Sequence, residues 1–228
     1  MKITTLNLRG FFDWSDREEN IVNYLKEAQS DVIFFQEAVY LPSESNYSQP
    51  SLLNQKLRYG YEHVSIPRLQ DSPHYPEYRE GLAVISNHPI VKSEVLTLKK
   101  QPTDEHQRIV QFIDVFTKGR IEKFVNLHLS LSDEFSRPQL EELLGILKSR
   151  DEKRIITGDF NMEKLEAHED LWKDTYRLAT DKPYVSFPED DKRIDYFLIP
   201  KEYVATNFEV SGDGLSDHRA LSVVIDGK

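Results

Sequence analysis

The sequence predicts an α/β fold in which two β-sheets pack against each other and helices cover them on the outside. Segments of strand length outnumber segments of helical periodicity so heavily that a simple alternating parallel sheet does not fit. Hydrophobic residues make up 39% of the 228 residues, which is enough for a sizeable core. Because no composition break resembling a linker divides the chain, we interpret residues 1–228 as one domain.

The first part of the chain predicts strands, helices and two long loops. The strands are short apolar runs, and they are predicted at residues 3–8, 31–36, 61–66 and 81–86. A one-sided apolar pattern predicts a helix at residues 17–29, capped by Ser15 or Asp16, and a shorter helix follows at 51–58. Segments rich in serine, asparagine or proline predict irregular loops at residues 38–50 and 67–78.

The second part of the chain predicts more strands around one long helix. That helix is placed at residues 138–149, because four leucines recur there at the spacing of one buried face. Residues 108–116 and 121–128 predict a hairpin, since a Lys-Gly turn signal separates two apolar runs. The other strands are predicted at residues 91–98, 153–157, 194–199, 204–210 and 220–225.

The charge balance argues against a general nucleic-acid binder. The chain has 29 lysine and arginine residues against 39 aspartate and glutamate residues, so its formal net charge is −10. Such a protein repels a polyanion unless a local basic patch or a bound cation intervenes. A metal ion supplies positive charge locally, so nucleic acid is not excluded as a substrate.

Cysteine content limits the covalent and metal chemistry of the chain, and the amino terminus indicates its location. The sequence contains no cysteine, so it can form neither disulfides nor thiolate metal sites. The amino terminus runs straight into strand-like sequence without an apolar signal core, and no apolar run approaches the ~20 residues that span a bilayer. We therefore expect a cytoplasmic protein without stable membrane insertion.

Polar residues recur at the ends of the apolar strands. Any one of them could be an ordinary turn or helix-cap residue. Several of them at separate strand ends indicate a functional site, because loops at strand ends are where rigid scaffolds carry function. These residues are Asn7, Glu37, Asn126, His128, Asp159, Asn161, Asp195, Asp217 and His218.

The residue types predict a hard metal ion and phosphate chemistry. Carboxylate and amide oxygens without cysteine suit Mg²⁺, with Mn²⁺ as the alternative, better than zinc. Such an ion neutralises phosphate oxygens, while a histidine–aspartate pair can activate water at neutral pH. The sequence therefore predicts a divalent-metal-dependent hydrolase that cleaves a phosphate ester.

Seven short motifs in a fixed order make the chain resemble the endonuclease/exonuclease/phosphatase superfamily. This superfamily includes deoxyribonucleases, AP endonucleases, neutral sphingomyelinases, inositol-polyphosphate 5-phosphatases and deadenylases. The resemblance implies a four-layer sandwich of two mixed β-sheets packed face to face with helices on the outside. The motifs are Thr5-Leu6-Asn7, Phe35-Gln36-Glu37, Glu80-Gly81-Leu82-Ala83-Val84-Ile85-Ser86, Asn126-Leu127-His128-Leu129, Gly158-Asp159-Phe160-Asn161, Arg193-Ile194-Asp195-Tyr196-Phe197-Leu198 and Ser216-Asp217-His218.

The resemblance implies a metal-binding set within these motifs. Glu37 is similar to the main metal ligand of the superfamily. Asn7 corresponds to a ligand or a partner in the metal shell, and Asp217 resembles the second carboxylate on the metal side.

The resemblance also implies a catalytic set. Asp159 is similar to the carboxylate that orients the nucleophilic water, and Asn161 to the amide that binds phosphate. His218 corresponds to the imidazole that contacts or deprotonates the water and the phosphate, and Asp195 holds its tautomer.

Two further matches indicate the branch of the superfamily. His128 matches the second histidine of the deoxyribonuclease and sphingomyelinase branches, where a glutamate in the position of Glu80 pairs with it. The segment Asn126-Leu127-His128-Leu129 differs from the Tyr-x-Pro-Asn type typical of AP endonucleases. The chain therefore resembles the deoxyribonuclease, sphingomyelinase and deadenylase-like group, and the division of acid and base roles between His128 and His218 stays open.

The sequence identifies substrate-binding residues less specifically than it identifies the motif residues. Arg108 could bind substrate phosphate, Trp14 could line the cleft, and Tyr78 with Tyr75 could stack on a base or sugar. A phosphate-ester substrate, small molecule or nucleic acid, is predicted, and no protein partner can be inferred. A nuclease is the alternative within the enzyme class, and a non-catalytic binding module that retains the fold is the alternative outside it.

Overall fold

The computed structural model describes residues 1–70 and 77–227, and it contains two six-stranded β-sheets. The first sheet has the strand order β11-β12-β1-β2-β4-β3 and the second β5-β6-β7-β8-β10-β9. The strands of the first sheet are β1 (Lys2–Asn7), β2 (Val32–Tyr40), β3 (Tyr61–Gln70), β4 (Tyr78–Ser86), β11 (Tyr203–Val210) and β12 (Leu221–Gly227). Those of the second are β5 (Ile90–Thr97), β6 (Ile109–Thr117), β7 (Arg120–His128), β8 (Ile155–Asp159), β9 (Tyr176–Leu178) and β10 (Asp195–Pro200).

Each sheet has one parallel pair at its centre and antiparallel neighbours around it. In the first sheet β1 and β2 are parallel, and in the second β7 and β8 are parallel. All other strand pairs among the described residues are antiparallel. Both sheets are therefore mixed, as the resemblance implied.

The hydrophobic core lies in three layers, and this confirms the predicted sandwich. Between the sheets, the side chains of Ile3 and Phe34 pack with those of Phe124 and Phe197 from the other sheet. The helices cover the outer faces: α1 (Trp14–Ala28) and α2 (Gln49–Leu57) lie on the first sheet, and α3 (Asp133–Ser149) lies on the second. Short 3₁₀ segments occupy Leu165–Leu171 and Pro188–Asp190. No helix in the described ranges is long and apolar enough to cross a membrane.

Several element boundaries differ from the prediction. Helix α1 begins at Trp14 with left-handed Asp13 as its N-cap, and not after Ser15 or Asp16. Helix α3 starts at Asp133, five residues before the predicted start at Pro138, so this proline lies inside the helix. Strand β9 was not predicted, since three residues are too few to show a periodicity.

The two predicted loops are shorter than expected. At residues 38–50, β2 continues to Tyr40 and α2 begins at Gln49, because a bulge lets the strand run on past its apolar stretch. At residues 67–78, β3 extends to Gln70 and β4 begins at Tyr78, while residues 71–76, with Tyr75, lie outside the described residues.

Candidate active site

The topology brings the polar strand ends to one edge of the sandwich. Asn7 and Gln36 are register partners at the point where the parallel pairing of β1 and β2 ends, and His128 and Asp159 are partners at the carboxyl ends of β7 and β8. Because parallel strands end at the same edge of a sheet, each pair presents its side chains together. Antiparallel β10 starts at Asp195, directly across from Asp159.

A cavity of about 640 Å³ lies at this edge. Six of the nine predicted catalytic and metal-binding residues, from both sheets, line it. Its lining within the described residues comprises Glu37, His128, Leu131, Ser132, Asp133, Asp159, Asn161, Glu163, Phe187, Asp190, Lys192, Ile194, Asp217 and His218. Glu37 and His218, which are 181 positions apart in the sequence, thus face a common space.

Glu37 is placed by an irregularity in β2. The register between β2 and β4 shifts between Phe35 and Ala38, and Glu37 has a left-handed φ of 47°. Bulges of this kind re-aim side chains next to active sites. Left-handed backbone is unfavourable for a residue other than glycine, so the surrounding structure must hold it in place.

Asn7 connects the two sheets through its amide. Its Nδ2 donates to Glu37 Oε1 and to Asp159 Oδ2, each at 3.1 Å. Its Oδ1 accepts the backbone N–H of Arg9 at 2.9 Å, which fixes the orientation of the amide. Asn7 therefore orients two carboxylates and keeps them a short distance apart.

The segment Gly158 to Asn161 requires a special backbone. Gly158 has a φ of 132°, and a Cβ there would lie 2.1 Å from the backbone oxygen of Leu127. Only glycine can occupy this position. After it, Asp159 Oδ1 accepts the backbone N–H of Asn161, and Asn161 Nδ2 donates to the Leu129 carbonyl, both at 2.9 Å. These bonds leave the amide oxygen of Asn161 free of protein donors among the described residues.

His218 and Asp195 form a buried pair. His218 Nδ1 lies 2.8 Å from Asp195 Oδ2, while Nε2 lies 3.8 Å from Asp159 Oδ2. The ring of Phe187 packs beside the imidazole, with centroids 5.0 Å apart. Burial alone would lower the pKa of His218, but Asp195 and then Asp159 raise it to about 10.

The second histidine has the opposite electrostatic environment. His128 Nε2 lies 3.5 Å from Asp159 Oδ2 and 3.9 Å from Glu37 Oε1. Burial, followed by the positive charge of Arg108, lowers the pKa of His128 well below its ordinary value. The two imidazoles thus favour different protonation states within one cavity.

The predicted pairing of Glu80 with His128 differs from the structure. The Glu80 carboxylate forms an ion pair with Arg68, which lies on the neighbouring strand β3. Glu80, Arg68 and His128 do line the same small cavity, together with Arg108. An arginine outcompetes a neutral imidazole for a carboxylate, because the charged pair is the stronger hydrogen bond.

The buried carboxylates of the site are held in surroundings that disfavour their negative charge. Burial, and then the neighbouring Asp195, raises the pKa of Asp159 to about 7. Burial, and then Glu80, raises the pKa of Glu37. Buried carboxylates of this kind are stabilised by a bound cation, which fits the predicted divalent ion.

Two groups of side chains could serve such an ion. Asp159, Asp195 and His218 offer ligand atoms that all lie within 4.8 Å of one another. The predicted set, Glu37 with Asn7 and Asp217, borders the same cavity through its two carboxylates. Asp217 Oδ2 lies 3.1 Å from Arg9 Nε, so an arginine already faces this carboxylate.

The three predicted substrate contacts lie outside the catalytic cavity. Arg108 is only 6% exposed and donates from Nε to Ser130 Oγ at 3.3 Å. Trp14 lines a separate cavity of about 450 Å³ next to Phe11. Tyr78 begins β4, beside the residues that the structure does not describe.

Sequence reasoning missed several residues at the site. Phe187 beside His218 and Lys192 in the cavity lining belong to a segment without a motif. Arg9, which faces Asp217, directly follows the Asn7 strand end, and a cation at that point of the sequence was an available signal. Conversely, Asn126 is fully buried beneath the site and donates to the carbonyls of Phe35 and Ala83, so its amide joins the two sheets.

This two-sheet fold, with a polar cavity at one edge, is that of a family of phosphate-ester hydrolases. Residues 4–218 match the model of the Endonuclease/Exonuclease/phosphatase family, and the chain belongs to this family of phosphate-ester hydrolases. No curated protein matches the sequence.

Solved structures share the fold over the whole length of the chain. An endonuclease/exonuclease/phosphatase family protein from Leptotrichia buccalis is 22% identical, with a TM-score of 0.80 and 99% of each chain covered. A mannosyl-6-phosphatase from Bacteroides thetaiotaomicron is 15% identical, with a TM-score of 0.72 and 99% of each chain covered. The human Nocturnin catalytic domain is 19% identical, with a TM-score of 0.75, over all of this chain and 94% of that one.

Proposed function

We propose that this protein hydrolyses a phosphate ester with the help of Mg²⁺, for which Mn²⁺ can substitute. The observation that carries the proposal is the shared cavity of Glu37, Asp159 and the His218–Asp195 pair. Oxygen ligands beside an imidazole are the groups that metal-assisted attack of water on phosphorus requires.

Glu37 and Asp217 are the proposed metal ligands. Glu37 lines the cavity; one of its oxygens accepts the Asn7 amide, while the other has no hydrogen bond within the described residues. The alternative group at Asp159 fits less well, because Asp195 and His218 are bonded to each other. In this arrangement Asn7 orients the ligand Glu37. The ion, when bound, neutralises phosphate oxygens and polarises phosphorus.

The remaining residues take the roles of water activation and phosphate binding. Asp159 orients the attacking water and accepts its proton, and Asn161 uses its amide group to hold the phosphate. His218, held by Asp195, contacts the phosphate through Nε2, because Nδ1 is already bonded to Asp195. His128 lies near both Asp159 and Glu37 and serves as a neutral hydrogen-bond partner of the phosphate.

The cavity supports a small substrate in preference to a polymer. Six carboxylates and a single lysine line it, and that lysine, Lys192, already pairs with Asp190 at 2.6 Å. Asp133 and Glu163 are exposed and pair with no lysine or arginine among the described residues, so they repel the flanking phosphates of a nucleic acid. A sugar or other hydroxylated alcohol with one phosphate meets no such repulsion, and a mannosyl-6-phosphatase shares the fold.

The nuclease alternative predicts a different substrate profile. A structural neighbour is the Nocturnin catalytic domain, and Arg68 with Arg108 supplies positive charge on the other side of His128. A nuclease would cleave oligonucleotides at least as well as small esters. A non-catalytic binding module would hydrolyse neither.

A hydrolysis assay with matched variants separates these outcomes. Bis-p-nitrophenyl phosphate, p-nitrophenyl phosphate, sugar phosphates and an oligonucleotide are each tested with Mg²⁺, Mn²⁺ or EDTA. We expect metal-dependent turnover of small esters, a loss of about 10²-fold or more in His218→Ala, and normal turnover in His88→Ala. His88 is a suitable control because it pairs with Asp31, which directly precedes β2 and so lies at the end of that strand away from the site. Inertness with every metal and substrate, or full activity of His218→Ala, would contradict the proposal.

A further inference from the structure

The buried guanidinium of Arg17 contacts two loops of the candidate active site at once. Arg17 lies in the first turn of α1 and is only 8% exposed. It donates to the carbonyls of Leu8 at 3.0 Å, Gly10 at 3.3 Å and Phe12 at 2.9 Å, and to that of Leu215 at 2.8 Å. No carboxylate in the described part of the chain forms an ion pair with it. All the protein partners of this buried cation are therefore backbone oxygens.

These four carbonyls belong to the segments that carry the proposed metal site. Leu8 directly follows Asn7, and Gly10 follows Arg9, whose Nε faces Asp217. Leu215 stands two residues before Asp217 on the second loop, 198 positions away from Arg17. One side chain thus joins the loop after β1 to the loop before β12.

The first of these loops needs such support. Arg9 and Asp13 have left-handed φ values of 52° and 47°, although neither is glycine, and Gly10 between them has a φ of 50°. Each such conformation in a residue with a side chain costs roughly 1–3 kcal/mol and persists only where surrounding contacts hold it. The bonds from Arg17 span this stretch and provide those contacts.

We propose that Arg17 is a positioning residue for the metal site: it fixes the Asn7–Arg9 and Asp217 loops relative to each other. This inference rests on the proposed function, because it takes Glu37 and Asp217 as the metal ligands. Arg17 itself touches neither substrate nor metal. Its loss leaves the ligands present but not held in the geometry that a divalent ion demands.

A purely structural role is the competing explanation, and the chain offers a matched control for it. Arg154 is even more buried, at 1% exposed, and pairs with Asp114 and Glu152. It precedes β8, at the end opposite to Asp159, roughly 16 Å from the site for a strand of this length. A conservative change at either arginine lowers stability, but only the change at Arg17 is expected to alter metal binding.

The experiment compares Arg17→Lys with Arg154→Lys in the full chain. Mn²⁺ binding is measured by electron paramagnetic resonance, the Mn²⁺ dependence of bis-p-nitrophenyl phosphate hydrolysis is titrated, and stability is measured by urea unfolding. We expect about tenfold or more weaker Mn²⁺ binding in Arg17→Lys, with part of the turnover recovered at saturating metal. In Arg154→Lys we expect lower stability with unchanged Mn²⁺ binding.

A second variant with a smaller change tests the same loop if Arg17→Lys does not fold. Gln49 Nε2 donates to the Gly10 carbonyl at 2.7 Å, and its Oε1 has no partner among the described residues, so Gln49→Leu removes one bond from the same loop. We expect a smaller weakening of Mn²⁺ binding, of about threefold.

The outcomes separate this inference from the proposed function. Wild-type protein that neither binds Mn²⁺ nor hydrolyses any ester refutes the proposed function. An active wild type, with Arg17→Lys and Gln49→Leu showing the same Mn²⁺ titration as wild type, refutes the role of Arg17 alone. Equal weakening of Mn²⁺ binding in Arg154→Lys refutes it as well.

Discussion

Replacing Asp159 by asparagine should stabilise the metal-free protein at alkaline pH, although it removes a proposed catalytic group. Burial and the neighbouring Asp195 raise the pKa of Asp159 from 3.8 to about 7. Each tenfold change in an ionisation constant corresponds to about 1.4 kcal/mol, so ionised Asp159 at pH 8 costs the folded protein about 4 kcal/mol. The folded pKa lies above the unfolded one, and stability therefore falls as the pH rises from about 4 to about 7.

The hydrogen bonds of Asp159 reduce this gain. Its two oxygens accept from the Asn161 backbone N–H and from Asn7 Nδ2. An asparagine can accept only one of these bonds, and its own NH₂ group must face the other donor, which costs about 1–3 kcal/mol. The expected net stabilisation at pH 8 is thus about 1–3 kcal/mol. At pH 5 the charge costs only about 2 kcal/mol, so the two effects largely cancel.

Urea unfolding in EDTA at pH 5 and pH 8 measures this difference. Asp159→Asn should have a higher free energy of unfolding than wild type at pH 8 and a flatter dependence on pH. A control variant, Asp170→Asn, changes an exposed carboxylate that pairs with Arg137 and should leave the pH dependence unchanged. A lower stability of Asp159→Asn than of the wild type at pH 8, or an equal difference at both pH values, would contradict a raised pKa of Asp159.

Three further changes test the geometry of the site and its scaffold. Gly158→Ala puts a methyl group into a backbone carbonyl of β7 and should cost about 3 kcal/mol or more in urea unfolding. Asp195→Asn removes the charge that holds the His218 tautomer, so kcat should fall by about 10²-fold or more, whereas circular dichroism should show an unchanged fold. Arg154→Met leaves Asp114 buried without its partner and should cost about 3 kcal/mol of stability, while kcat per folded molecule stays at the wild-type value.

The sequence could predict which strand ends face the site, because that information is local. An apolar run followed by Glu37, or by Gly158 and Asp159, marks both the strand and the point at which it ends. The sandwich follows from the number of such runs and from their burial on both faces. The bulge at Glu37 was not visible, since its register shift depends on the partner strand β4.

The hydrophobic pattern of the sequence could not predict which side chains from distant segments contact each other. Whether Glu80 pairs with Arg68 or with His128 depends on the register between β3 and β4. The hydrogen bond from Arg17 to the Leu215 carbonyl joins the first helix to the loop before the last strand. Trp14 follows the first strand closely in sequence, yet it faces a cavity apart from the catalytic one. Hydrophobic periodicity sets the buried face of an element, but it does not select side-chain partners across the fold.

The negative charge that destabilises the metal-free site should become favourable once a divalent ion is present. An ion at about 100 times its dissociation constant stabilises the folded state by about 2.7 kcal/mol, which is similar to the net gain expected from Asp159→Asn at pH 8. The variant has one negative charge less beside Glu37, so it should gain less from the ion. Urea unfolding at pH 8 with Mn²⁺ should therefore show a smaller stability difference between the wild type and the variant than unfolding in EDTA does. An equal gain in both proteins would show that the ion does not interact with the Asp159 charge.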